Sequence, residues 1–266
     1  FLVVPLTVAV VTYNRTEIPD PGSVRTEQIS EIYQSDGTTM IGRIVPPEGN
    51  RTLIELDTVP VHVRNAVIAA EDRSFYTNEG YDPTGIGRAV IGQITGESSA
   101  GGGSTITQQV VKNFLLTSEK SFERKIKEAV LAWRISETYS KQKILELYLN
   151  QIYLGQGTYG VAAAAINYFD KSLNELTTEE AAFLAALPKA PAYFDPRKNY
   201  ERALQRRNYV LGRMREDDYI DQVDYDRARA LPITTRARSR DEVAPADFFA
   251  EEVRRGGEQR LARRHL

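Results

Sequence analysis

From residue 60 to residue 230 the chain shows almost no β-branched alternation, and Gly or Pro interrupts it at intervals of about 10–25 residues. That punctuation belongs to a succession of short helices. The pattern predicts them near 60–75, 83–95, 104–116, 119–139, 141–153, 158–167, 177–187, 199–215 and 221–229. Ahead of this region, Ile32 and Tyr33 face Met40 and Ile41 across Asp36-Gly37, the signature of a hairpin. The expected fold class is mainly α with a small N-terminal β-hairpin.

Composition removes several chemistries. There is no cysteine, so disulfides, thiolate zinc sites and thiol nucleophiles are excluded. The only histidines are His62 and His265, which leaves little for a His-based metal site or a Ser–His–Asp triad. Acid–base work must fall to carboxylates, lysines or tyrosines. A formal charge of −2 gives no reason to expect nucleic acid as a partner. Residues 104–143, however, carry eight Lys or Arg against four Glu. Such a block suits an anionic ligand or a solvated helix face.

The chain opens without Met on an apolar run over residues 1–13. As a helix it would cover about 20 Å of the roughly 30 Å hydrocarbon layer. A buried strand or the apolar part of a signal peptide fits as well; we read it as the remnant of a transmembrane anchor. Residues 14–59 read as a juxtamembrane linker and hairpin, 60–230 as the main domain, and 231–266 as a linker with one short helix.

Two glutamates stand in unusual places. On a helix through 60–75, Val67, Ile68 and Phe75 surround Glu71, placing its carboxylate in an apolar arc. Desolvation there raises a carboxyl pKa and suits it to proton transfer; a Glu paired with Arg64 or Arg73 at the core edge has the same pattern. On the helix through 119–139, Phe122, Ile126, Ala129 and Trp133 form a core stripe, with Leu131 and Ile135 marking a second. Glu128 projects near the second stripe, with Arg124 and Lys125 one turn back, as an embedded acid–base cluster or as surface salt bridges. Between the glutamates, residues 100–109 (AGGGSTITQQ) run a Gly-rich loop into a helix through Ser and Thr. That is either an anion site at a helix N-terminus or a capped flexible loop. It lacks the Lys-Ser/Thr of a Walker loop. Gln108, Gln109 and Lys112 follow, suited to sugar hydroxyls or phosphate.

These residues resemble the peptidoglycan glycosyltransferase (family 51) domain of class A penicillin-binding proteins and monofunctional transglycosylases. Five of its motifs occur in order over residues 60–215. They begin at Glu71-Asp72-Arg73-Ser74-Phe75 and continue with Gly102-Gly103-Ser104-Thr105-Ile106-Thr107-Gln108-Gln109. Next come Arg124-Lys125-Ile126-Lys127-Glu128, then the stretch from Lys141 through Glu146 and Tyr148 to Asn150, and last Arg206-Arg207 to Leu211. The resemblance implies a lysozyme-like helical head, and a jaw lobe whose residues 91, 94 and 114–116 dip into lipid. It implies polymerisation of lipid II into β-1,4-linked glycan strands with inversion and loss of undecaprenyl pyrophosphate.

By this likeness Glu71 is the base on the acceptor 4-hydroxyl. Glu128 assists at the donor side, with Lys125, Lys112 and Gln109 around the donor pyrophosphate. Arg124 belongs to the same basic cluster, and Ser104 and Arg73 support substrate. Asp72, Phe75, Thr107 and Gln108 fall in supporting positions, while Glu146 and Asn150 orient the cleft. A divalent cation, Mg2+ or Mn2+, is implied at the diphosphate, with no protein metal ligands assigned. The implied partners are lipid II, the lipid-linked glycan strand, membrane lipids, and cell-division or elongation proteins; the implied location is the outer face of the bacterial cytoplasmic membrane.

The first motif usually carries His where this chain has Asn78, which hydrogen-bonds but does not titrate. Ser140 to Lys143 satisfies the Ser-x-x-Lys signature of penicillin-reactive enzymes, but no Ser-x-Asn or Lys-Thr-Gly accompanies it, and it lies inside the fourth motif. Two other readings stay in view: a lysozyme-like hydrolase or lytic transglycosylase, which needs the carboxyl pair but no basic cluster, and a non-catalytic cell-wall scaffold.

Overall fold

The computed structural model describes residues 30–33, 40–44, 50–83, 104–115 and 122–236. In order these form β1 (Ser30–Tyr33), β2 (Met40–Ile44), β3 (Asn50–Arg51), α1 (Val61–Glu71), α2 (Ile106–Leu115), α3 (Phe122–Thr138) and α4 (Lys141–Gln151). There follow β4 (Thr158–Tyr159), α5 (Val161–Phe169), α6 (Thr178–Ala186), α7 (Pro196–Glu216) and α8 (Gln222–Ala230). The mainly helical class is as expected, and β1 and β2 pair antiparallel as the hairpin pattern required. The run over 1–13, residues 84–95 of the helix expected at 83–95, the glycines at 101–103, the lipid-facing side chains expected at 91, 94 and 114–116, and everything beyond 236 lie outside the described residues. Among the described residues no helix is long and apolar enough to cross a membrane.

Two helix groups carry the molecule. α1, α6 and α7 pack on one another, and α2 packs on α3 and α4. The sequence of α6 explains the first group. Thr177 and Glu180 close a capping box at its start, and Ala181 through Ala186 are all buried. Small side chains there let α1 and α7 approach from two sides, while Phe183 fills the remaining space against Tyr168 and Phe169.

Three local expectations are corrected. The first helix stops at Glu71 instead of 75, because the Asp72 carboxylate turns away to accept the backbone N–H of Ile106 at the start of α2 (3.1 Å). Phe75 is fully buried, but from the following turn and not from the helix that carries Glu71. On α3 the core stripe is the other one: Glu128, Leu131, Ala132 and Ile135 are buried, whereas Trp133 is 37% exposed. Periodicity finds both stripes; only the packing of α2 selects which faces inward. Finally, residues 158–159 form a strand instead of opening a helix, and pair in parallel with β3. The turn before α5 needs positive φ at Gly155, Gln156, Gly157 and Gly160, which ends one element and delays the next.

α4 anchors the residues that lead from β3 towards α1. Asn150 donates to the Ile54 carbonyl (2.9 Å) and accepts the Ile54 N–H (2.9 Å). Glu146 accepts the Leu56 N–H (3.1 Å) and pairs with Lys143 (2.6 Å). The Arg51 guanidinium lies 4.6 Å from the centroid of the Tyr159 ring. His62 is occupied as well, donating to the Leu176 carbonyl (2.8 Å). Ser140 is the N-cap of α4 and accepts the Lys143 N–H (3.2 Å), so its spacing to Lys143 is helix capping.

Candidate active site

A cleft of about 1240 Å3 is lined by both helix groups. One wall is the end of α1 and the turn after it (Glu71, Asp72, Arg73), together with Ser104 just before α2, Gln109 and Lys112 of α2, and Glu128 of α3. Residues distant in sequence meet there because α1 ends at the cleft and α2 begins beside it. The joint is made by polar groups. Asp72 accepts from Ile106 N and Asn78 Nδ2 (2.9 Å), and Asn78 Oδ1 accepts from Gly80 N (2.9 Å) and Lys141 Nζ (3.0 Å). Asn78 thus works as a two-ended clamp between the turn, α4 and Asp72. Thr105 donates to the Gly80 carbonyl (2.6 Å), and the side chain of Gln108 accepts the Thr105 N–H (3.0 Å).

Glu71 is half-buried at the end of α1 and, among the described residues, accepts one hydrogen bond, on Oε2 from Gln109 Nε2 (2.7 Å). Burial pushes its carboxyl pKa up; the Gln109 bond, Arg206 and Lys189 pull the other way, and Asp72 adds to the rise. Burial also raises Asp72, opposed by its bonds from Ile106, Asn78 and Ser74. Glu128 is only 2% exposed. Its partner is Lys125, 2.5 Å away, whose ammonium also donates to Ser104 Oγ (2.8 Å). Lys125 therefore ties α3 to the entry of α2.

The opposite wall was absent from the candidates read in the sequence. It is built by Lys189, Tyr193, Arg202, Arg206, Tyr209 and Arg213. Arg202 lies over Tyr193 (4.5 Å), and Arg206 and Arg213 lie over Tyr209 (4.7 and 5.2 Å). Positions 202, 206, 209 and 213 recur at 4-3-4 spacing, a helix stripe of cations and an aromatic that the pattern itself could have revealed. Arg73, expected to hold substrate, spends its guanidinium on Asp217 and Glu216 at the end of α7 and so fastens the two walls together.

Of the residues singled out in the sequence, Glu71, Asp72, Arg73, Ser104, Gln109, Lys112 and Glu128 line the cleft, and Lys125 reaches two of them. Thr107, Gln108 and Phe75 are buried behind it. Arg124 is half-buried on α3, and Glu146 and Asn150 hold residues 54–56. Among the described residues no group of three or more His, Asp or Glu side chains could hold a metal ion. Asp72 is saturated by donors, Glu128 is neutralised by Lys125, and Glu71 is held by Gln109. This donor set does not fit a protein-held divalent cation; the positive charge offered by the cleft is that of its lysines and arginines.

A half-buried carboxylate facing a cationic cleft on a helical domain suits an enzyme that does acid–base chemistry on an anionic substrate. Residues 37–215 match the family model described as Transglycosylase, and the chain belongs to that family of peptidoglycan glycosyltransferases. It is 49% identical over 229 residues to penicillin-binding protein 1A of Rickettsia bellii (strain RML369-C), covering 85% of this chain and 29% of that protein. It is 47% identical over 240 residues to penicillin-binding protein 1A of Aquifex aeolicus (strain VF5), covering 89% and 32%. Penicillin-binding protein 1A from Haemophilus influenzae, a solved structure, superposes with a TM-score of 0.51 at 32% identity, over 89% of this chain and 25% of that one. The chain spans less than a third of the length of each of these relatives.

Proposed function

We propose that this chain polymerises lipid II into β-1,4-linked glycan, releasing undecaprenyl pyrophosphate with inversion at the anomeric carbon. The observation that carries the reading is Glu71: a carboxylate with a raised pKa, held through Oε2, whose Oε1 accepts no hydrogen bond among the described residues. Oε1 takes the proton of the acceptor 4-hydroxyl as the hydroxyl oxygen bonds to the donor anomeric carbon. The bond from that carbon to the diphosphate breaks, and its electron pair leaves with the diphosphate. Lys112 and Lys125 receive the developing charge, and Glu128 keeps Lys125 in place. Arg124 adds positive charge on α3, and Ser104, bonded to Lys125, borders the same space.

A hydrolase would need two carboxylates and no cationic walls, so the lysines and arginines of both walls favour transfer. The same reading places the acceptor and donor lipids in a membrane, with 60–230 as the catalytic domain on the outer face of the cytoplasmic membrane. A divalent cation would arrive with the substrate diphosphate. The test is polymerisation of labelled lipid II in detergent by the chain and by Glu71→Gln. Strands from the first and none from the second are expected. Equal activity in both would remove Glu71 as the base; no activity in either, with the apolar N-terminus extended to a full anchor, would leave the scaffold reading.

A further inference from the structure

Tyr148 lies on α4 behind the cleft and is 1% exposed. In the sequence it was only one letter of a motif. Ile144, Leu145 and Leu149 of the same helix are buried too, so Tyr148 sits on its core face. Its hydroxyl has one hydrogen-bond partner among the described residues, Oε1 of Gln109 on α2 (3.3 Å). Gln109 is the side chain whose Nε2 donates to Glu71. Three elements thus form one line, from α4 through α2 to the end of α1.

The line has a direction. A Gln side chain has a donor end and an acceptor end of nearly the same shape, so it can offer either to Glu71. With the acceptor end towards Tyr148, both bonds form. Reversing the amide would set its carbonyl against the Glu71 carboxylate and leave the buried tyrosine proton without an acceptor. We propose that Tyr148 is a positioning residue for Glu71, acting through Gln109: its hydroxyl keeps the amide donor turned to Oε2, which leaves Oε1 to face the acceptor hydroxyl. The inference rests on the proposed role of Glu71.

The groups facing Glu71 come from every element around it: Asp72 from the same turn, Gln109 from α2, Tyr148 from α4, Lys189 from the segment before α7, and Arg206 from α7. A hydrogen bond donated to a carboxylate favours its charged form. Losing that donor therefore moves the Glu71 titration to higher pH.

Tyr148→Phe removes one oxygen and keeps the ring. In the chain labelled with 13C-carboxyl glutamate, the Glu71 signal is identified by its disappearance in Glu71→Gln and then titrated. The expected result is a higher Glu71 midpoint in Tyr148→Phe with an intact fold by circular dichroism. In lipid II polymerisation, kcat falls about tenfold, KM stays within about twofold, and the acid limb of the rate profile moves to higher pH. A purely structural tyrosine would lower the melting temperature and leave the midpoint where it was; an unmoved midpoint in the folded variant overturns the proposal. Should Tyr148→Phe fail to fold, Gln109→Leu attacks the same line from its half-buried middle residue, and an unmoved midpoint there overturns it equally. A midpoint that moves while the wild-type chain makes no glycan upholds the positioning of Glu71 and refutes the proposed reaction.

Discussion

Replacing Lys125 by Ala leaves the Glu128 carboxylate, 2% exposed, without its ion-pair partner and takes a donor from Ser104. Breaking a fully buried pair from one side costs about 3–5 kcal/mol, most of it the stranded charge. The Lys125 side chain is 31% exposed, so water reaches the vacated position and screens part of that penalty. We therefore expect a loss of about 2–3 kcal/mol, which in a domain of this size lowers the melting temperature by roughly 5–10 °C. The double variant Lys125→Ala, Glu128→Gln removes the stranded charge and should recover most of the loss, although it cannot restore transfer activity. Thermal melts of the four proteins in the cycle measure the coupling directly. A single variant as stable as wild type, or a double variant no more stable than the single, would refute the argument that Glu128 is held as a buried ion.

Two further outcomes follow from the same geometry. At Gly160 φ is +81° and an added Cβ would stand 2.8 Å from the Asn150 carbonyl oxygen, so Gly160→Ala should cost about 2–3 kcal/mol, read as a lowered denaturation midpoint at unchanged m-value. Because the fold raises the pKa of Glu71, that group's contribution to stability is fully present below its unfolded pKa and is lost as pH rises through its folded pKa. Glu71→Gln stays neutral and should melt higher than wild type near neutral pH, with the gap closing under acid. A constant gap across that range would contradict the assigned direction.

Much of the site could be read from the chain because its parts are local. Glu71-Asp72-Arg73 and the Ser104–Gln109 stretch are contiguous, and each carries its own chemistry in its residue types. Arg206 belongs to the fifth motif, but the cationic wall around it went unread because Lys189, Arg202 and Arg213 look individually like ordinary surface charges; they become a wall only when α7 packs on α1 and faces α2. Arg73 lines the cleft, but its bond to Asp217 went unread for a similar reason, since nothing near it in sequence announces that residue.

The helical class, the hairpin and two glutamates beside apolar stripes follow from spacing and side-chain chemistry alone, because a helix repeats every 3.6 residues and a carboxylate carries its charge wherever it lies. The tertiary structure decided the rest. It ended α1 at Glu71 by drawing Asp72 to the N-terminus of α2, and it turned the Glu128 stripe of α3 inward while leaving Trp133 partly in solvent. It also brought Gln109 to Glu71 across 38 positions of the sequence, and Tyr148 to Gln109 across 39. Periodicity says that a helix has a face; which face is buried, and what a polar group meets there, depends on the shape and charge of the neighbour that packs against it.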